Sequence, residues 1–268
     1  MNVRKQFRAG SEFRIADHHP GDKPLSSGDK PADQLRVSGL AEQIAAFQDI
    51  FYAEHRRKLL VVLQGMDTSG KDGTVRGVFG RLDPLGVRSV AFKAPSTDER
   101  EHDFLWRVHE QVPAMGQLVI FNRSHYEDVL VPVVHGDINE PECERRYRHI
   151  REFERMLCET GTVLVKFFLH ISRDEQKRRL EARLQEGDKH WKVDLNDLKE
   201  RRYWDAYQER YERAIRETDT DPAPWYVIPA DSKTHRNLAI ASVMIDVLQD
   251  MKLSYPPPNP EYFKIKVE

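Results

Sequence analysis

Cysteine is nearly missing from this 268-residue sequence, which has only Cys143 and Cys158. Both fall in one expected helix, where fifteen residues at about 1.5 Å each set them roughly 22 Å apart, too far for a disulfide. A disulfide-stapled fold is thereby excluded, and a reducing compartment suits the pair. No stretch approaches the ~20 apolar residues of a membrane span, and the N-terminus lacks the apolar core of a signal peptide. The expectation is a soluble, cytoplasmic protein without membrane contact. An excess of positive charge is missing too: 32% of residues are charged, yet the formal net charge is −2. General nucleic-acid binding is not indicated, so any anion site must come from local arrangement. There is no internal repeat and no low-complexity tract, and the length suits one large domain.

What is present is organised around Leu59–Gln64, an apolar run that breaks into Gly65-Met-Asp-Thr-Ser-Gly-Lys-Asp-Gly-Thr74. An apolar run of this kind suits a parallel strand buried on both faces, and Gly73 to Leu82 can continue as a helix. The spacing G-x-x-x-x-G-K fits a phosphate-binding loop. Gly65 and Gly70 permit the backbone angles that turn N–H groups inward. The amides of Thr68, Ser69, Asp72, Gly73 and Thr74 can add donors, and Lys71 supplies a full charge at a helix N-terminus. Asp72 departs from the pattern, standing where a Ser or Thr normally reaches magnesium, and Thr74 comes two residues too late. Asp67, a carboxylate inside an anion-binding loop, is costly unless a cation stands beside it, so it reads as a metal ligand.

Met1 to Ser38 is polar and rich in turn signals, and is expected to be an extended arm with little regular structure. A helix is expected from Leu40 to about His55–Lys58. Arg88–Lys93 is the second expected strand, and Ser96-Thr-Asp-Glu99 a capping box opening a helix to Val112. Gln117–Phe121 is the third strand, with polar residues from Asn122 to Asp128 at its carboxyl end, where ligands of open α/β sheets bind. Ile138–Thr160 reads as a helix with Tyr147, Ile150, Phe153, Met156 and Leu157 on its apolar stripe, and Thr162–His170 as the fourth strand. A capped helix from Ser172 leads to Glu186–Lys192, a hairpin ringed by Arg178, Arg179, Arg183, Lys189 and Lys192. A long helix Asn196–Glu217, a fifth strand Trp225–Pro229 and a last helix Lys233–Met251 complete the pattern. The expected fold class is α/β: five parallel strands with helices on both faces. Residues 1–38 form the arm, 39–255 the kinase-like domain with a lid at about 172–217, and 256–268 a stiff tail.

A phosphate loop, a polar strand end and a basic helical hairpin share phosphate as their ligand, and phosphoryl transfer needs charge neutralisation and positioning above all. Lys71 and the loop amides can cradle the donor, Arg123 can stabilise the transferring group, and Asp67 can hold the metal. An ATP-dependent small-molecule or nucleotide kinase on the same fold, and a non-catalytic nucleotide switch, remain the alternatives at this point.

The segments Gly65–Thr74, Phe121-Asn-Arg-Ser-His-Tyr-Glu-Asp-Val129, Glu175–Arg183 and Lys189-His-Trp-Lys192 together resemble the polyphosphate kinase 2 family over about residues 40 to 255. The resemblance implies a phosphate-loop kinase fold with a helical lid, moving phosphoryl groups between inorganic polyphosphate and nucleotides. It implies magnesium, with manganese as an alternative, and a cytoplasmic homo-oligomer, dimer or tetramer. Loop roles fall on Asp67 and Lys71, a following basic residue on Arg76, and lid arginines on Arg178 or Arg179 and Arg183. Many members end the third strand in Asp-Arg-Ser, whereas this chain has Asn122-Arg123-Ser124. The Asn122, His125, Tyr126, Glu127 and Asp128 version resembles the class III branch, which phosphorylates both AMP and ADP to give ATP. These five residues are therefore assigned to the nucleotide. Either Glu127 or Asp128 could supply the carboxylate missing at Asn122.

Overall fold

The computed structural model describes residues 3–267, apart from the side chains of residues 188, 189 and 192. Five strands, β1 (Lys58–Gln64), β2 (Val87–Ala91), β3 (Leu118–Asn122), β4 (Thr162–His170) and β5 (Trp225–Pro229), pair in parallel in the order β2-β3-β1-β4-β5. Leu59, Leu60, Val61, Val62 and Leu63 of β1 are fully buried, because the strand lies mid-sheet with helices on both faces. The third and fourth strands flank it, so the chain leaving β1 enters the crevice where strand order reverses. β4 and β5 run over the residues expected of them.

The helices depart from expectation where local punctuation misleads. The first long helix, Lys30–Glu54, begins inside the expected arm, since Pro31 sits at its first turn, where a missing N–H costs nothing. The stretch before it also packs: Val3–Phe7 is helical, and Phe7 and Phe13 are buried in the core. The segment expected to be one helix after the capping box is two short helices, Thr97–Glu101 and Trp106–His109, though the box itself forms. A helix at Glu127–Val134, where no element is expected, follows β3 and contains Pro132. On Glu140–Glu159 the expected stripe is buried except Met156, which is 39% exposed. The long lid helix is broken into Leu195–Glu200, a 3-10 turn at Arg201–Tyr203, and Trp204–Thr218. Trp204, Tyr207 and Tyr211 turn inward from the last of these. Among the described residues no helix is long and apolar enough to cross a membrane.

The arm is pinned at the carboxyl edge of the sheet. The His170 Nε2–H of β4 donates to the His18 carbonyl at 3.0 Å, and the Asp231 amide after β5 donates to the Pro20 carbonyl at 3.1 Å. Burial brings the His170 pKa down to about 4 from 6.5, outweighing the bond to His18. Between those values the unfolded chain binds a proton that the folded one refuses, so stability is full above pH 6.5 and falls as pH drops toward 4. The contribution reaches about 3 kcal/mol at the acid end. Denaturant unfolding across this window should therefore fall more steeply for the native chain than for His170→Asn; equal slopes would contradict the assignment.

Candidate active site

The turn from β1 into the helix Lys71–Val78 requires its glycines. Gly65 has φ +150°, and a Cβ there would lie 2.6 Å from the Leu169 carbonyl oxygen of β4. Gly70 has φ +109° and caps the helix. Of the four described non-glycine residues with left-handed backbone, two lie here: Thr68 in the loop and Arg123 just past β3, with φ of 62° and 64°. Such strain is rare outside turns and gathers at functional sites. At Arg123 it accompanies an ion pair with Asp67, Nη2 to Oδ1 at 2.7 Å. Lys71 is buried and its Nζ donates to the carbonyls of Gly65 at 2.6 Å and Met66 at 3.2 Å. Its pKa is lowered by burial and by Arg123, against the pull of Asp67, Glu127 and Asp72.

Thus the expected catalytic residues Asp67, Lys71 and Arg123 do meet at one place, with their charges turned on one another. Arg123 stays firmly protonated: burial works against its charge, but Glu127 and Asp67 prevail. Glu127 is the acid nearest this cluster. Burial raises its pKa, opposed by Arg123 and Lys71. Asp128 lines the same cavity but pairs with Arg107 Nη2 at 3.1 Å, with burial raising its pKa against that partner. Of the two candidates for the carboxylate missing at Asn122, both line the cavity, and Glu127 is the one on which Arg123, Lys71 and Asp67 act. Asn122 itself donates to Asp72 Oδ1 at 2.7 Å, and neither residue borders the cavity.

Asp67, Arg123 and Glu127 line a cavity of about 590 Å³, within the range of small-ligand sites. Phe92, Phe104, Val131, Pro132 and Ile138 give it apolar walls, with Lys93, Arg107 and Arg146 also in the lining. Arg146 lies over the Phe104 ring at 4.9 Å. Over the mouth comes Asp197 of the lid, 3.0 Å from Arg183 Nη1. Its pKa is pushed up to about 6 by burial and by Asp67, with Arg183 and Arg123 opposing.

Several site assignments need correction. His125 and Tyr126 are fully buried in a polar knot away from the cavity: His125 Nε2 lies 3.2 Å from Glu154, and the Tyr126 hydroxyl donates to Glu154 at 2.7 Å. Lys166 Nζ completes the knot, 2.6 Å from Glu154 and 2.9 Å from Tyr126. Both rings hold the helix after β3 to the core and are unavailable to a nucleotide. Arg179 is buried behind the loop, donating to the carbonyls of Thr68 at 2.8 Å, Ser69 at 3.1 Å, Ala230 at 2.7 Å and Asp231 at 2.8 Å. With Nε also on Glu175 at 2.6 Å, it is a strut, with no donor left for phosphate. Arg178, by contrast, is exposed on the helix after β4, where it pairs with Glu175. Arg76 lies on the helix after the loop, and the side chains of Lys189 and Lys192 fall outside the described residues.

Sequence reasoning missed Arg107, Arg146 and Phe104, which are scattered far along the chain, and Gln176, whose Nε2 donates to the Asp67 carbonyl at 3.1 Å. It also missed Arg236. A signal for Arg236 existed: the helix Lys233–Asp250 opens with cations and no acid in its first turn, against its own dipole.

The loop that ends at Lys71 borders, through Gly65, Met66 and Asp67, a cavity with both charged and apolar walls, an arrangement that suits a phosphotransferase on the phosphate-loop kinase fold. The profile of "Polyphosphate kinase 2 (PPK2)" matches residues 27–256. A Meiothermus ruber protein named AMP/ADP-polyphosphate phosphotransferase is 48% identical over 98% of this chain and 100% of its own. A Rhodopseudomonas palustris protein named ADP-polyphosphate phosphotransferase is 41% identical over 96% of this chain and 93% of its own. The crystal structure of polyphosphate kinase 2 from Arthrobacter aurescens superposes with a TM-score of 0.94 at 42% identity, covering 97% of this chain and 93% of that one. The chain belongs to the polyphosphate kinase 2 family.

At Gly70 a Cβ would stand 1.8 Å from Arg236 Nη1 in addition to the strain of φ +109°. Gly70→Ala is therefore expected to cost at least about 1–3 kcal/mol of stability and to abolish triphosphate binding by calorimetry. A stable variant that still binds would mean the loop is not the phosphate site.

Proposed function

We propose that this chain transfers the terminal phosphoryl group of inorganic polyphosphate to AMP and then to ADP, with magnesium, as a cytoplasmic homo-oligomer. The observation that carries the reading is that the phosphate loop, with Arg123 beside it, and a set of apolar walls border one cavity. A donor without a base and an acceptor with one fit such a site. The name of the Meiothermus relative supports both acceptors, and that of the Rhodopseudomonas relative supports ADP.

An oxygen of the acceptor's terminal phosphate forms the new P–O bond to the last phosphorus of the chain. The bond to the bridging oxygen breaks, and the shortened polyphosphate leaves with that electron pair. Nucleophile and leaving group are both phosphates, with second pKa values of about 6, so no general base is required and electrostatics carry the catalysis. The base packs between Phe104 and the Val131–Pro132 wall. Lys71 leaves the loop carbonyls for donor oxygens, and Arg123 leaves Asp67 for the transferring group.

The residues present fit magnesium. Asp67 and Glu127 are hard oxygen donors on one wall of the cavity, and the buried hydroxyls of Thr68, Ser69 and Thr74 lack hydrogen-bond partners. Asp67 would hold the ion with Glu127 in support, and the ion supplies charge neutralisation on the phosphates when bound. The lid cations Arg178 and Arg183 contact donor phosphates that do not react, and so provide uniform binding.

Protein given AMP, excess polyphosphate and magnesium should form ADP and then ATP, followed by nucleotide chromatography. Asp67→Ala should lose on the order of a hundredfold or more in kcat, whereas Arg178→Ala with Arg183→Ala should chiefly raise the donor KM. ADP as the sole product would confine the enzyme to the first transfer, and transfer only from ATP would overturn the donor.

A further inference from the structure

Arg236 is 2% exposed and lies directly behind the phosphate loop. Its guanidinium fills the space that side chains at residues 70 and 73 would need: a Cβ on Gly70 would be 1.8 Å from Nη1, and one on Gly73 2.9 Å from Nη2. Its hydrogen bonds go to neutral oxygens only. Nη1 donates to the Ser69 carbonyl at 3.3 Å, while Nε and Nη2 donate to Asn237 Oδ1 at 3.2 and 2.9 Å. Among the described residues no carboxylate pairs with it, and the charge that acts on it is the like charge of Arg179. It also abuts the N-terminus of the helix Lys71–Val78, which carries partial positive charge of its own.

A buried cation set against a second cation and a helix N-terminus is a costly arrangement. Packing does not explain it, since an apolar side chain of similar length would fill the same space behind the glycines without the charge. What can offset the cost is an anion on the far side of the loop, only a backbone's thickness away. In that low-dielectric position the attraction is weakly screened.

We propose that Arg236 is a positioning residue for the donor phosphates, charging the loop from behind and favouring the phosphate-bound state without touching phosphate. The inference rests on the loop being the phosphate site. Burial draws the Arg236 pKa down to about 9, with Arg179 adding to the effect, as expected of a cation that lacks its counter-ion in the ligand-free protein. The exposed lid cations contribute differently, through contacts that salt can weaken.

The experiment compares the native chain with Arg236→Met, Arg236→Lys and Lys71→Ala, using inorganic triphosphate as the probe. It measures thermal stability with and without triphosphate, calorimetric affinity at low and moderate salt, and donor KM and kcat. Arg236→Met should leave the ligand-free protein as stable as the native one or more so, and should shrink the triphosphate-induced rise in Tm. Its triphosphate affinity should fall on the order of tenfold, by the same factor at both salt concentrations, and Arg236→Lys should recover part of the loss. Native affinity in a folded Arg236→Met, or a loss that vanishes with added salt, would overturn the proposal. If Arg236→Met does not fold, the neutral Arg236→Gln takes its place, and native affinity and donor KM in folded Arg236→Gln would overturn it equally. If Lys71→Ala also binds triphosphate normally, the phosphate-loop reading itself has failed; if Lys71→Ala loses binding while Arg236→Met keeps it, only this inference has.

Discussion

The structure depends on holding concentrated positive charge at one turn of a chain whose net charge is −2. Lys71, Arg123, Arg179 and Arg236 all converge on the loop Gly65–Lys71, and three of them are buried. The fold restrains this repulsion in separate ways. Arg179 is satisfied by four backbone carbonyls and Glu175, Arg123 by Asp67, and Lys71 by the carbonyls of Gly65 and Met66. Lys71 also feels Asp67, Glu127 and Asp72, whereas among the described residues Arg236 has neutral hydrogen-bond partners and no carboxylate acting on it. The ligand-free site therefore holds its catalytic charges in internal pairs. A phosphate chain can release them because it offers oxygens to several cations at once.

The same constraint orders the surrounding elements. β1 must be central so that its turn lies in the crevice beside β3, which delivers Arg123, and β4, whose Leu169 carbonyl leaves no room for a side chain on residue 65. The helix after β4 approaches closely enough for Gln176 and Arg179 to grip the loop carbonyls. The helix after β5 brings Arg236 beneath it. The cavity walls are then attached to a loop already held from behind, and Asp197 and Asp67 line the same cavity. Preorganisation of this kind is what electrostatic catalysis requires.

Much of this was legible because strong local signals coincide with the fold. β4 and β5 are continuous apolar runs with clear ends, and the glycine spacing of the loop reflects steric need. Residues that act through backbone carbonyls leave weaker traces. Arg179 reads like its exposed neighbour Arg178, since a helix of mixed charge does not reveal which face is buried. His125 and Tyr126 look like site residues because they follow a strand end, yet the burial of Glu154 and Lys166 claims them for the core. The acceptor pocket was hidden for a different reason, as Phe104, Arg107, Val131 and Arg146 come together only once the helices after β2 and β3 are packed. Pro31 reads as part of a punctuated arm, although it lies at the first turn of a helix.

The central claim is that phosphate draws Lys71 and Arg123 out of internal pairs. A crystal structure of the protein with triphosphate and magnesium tests it most directly. The account predicts Lys71 Nζ on phosphate oxygens and away from the Gly65 and Met66 carbonyls, Arg123 parted from Asp67, and Asp67 on the metal. Phosphates bound elsewhere, with Lys71 still on those carbonyls and the Asp67–Arg123 pair intact, would contradict it.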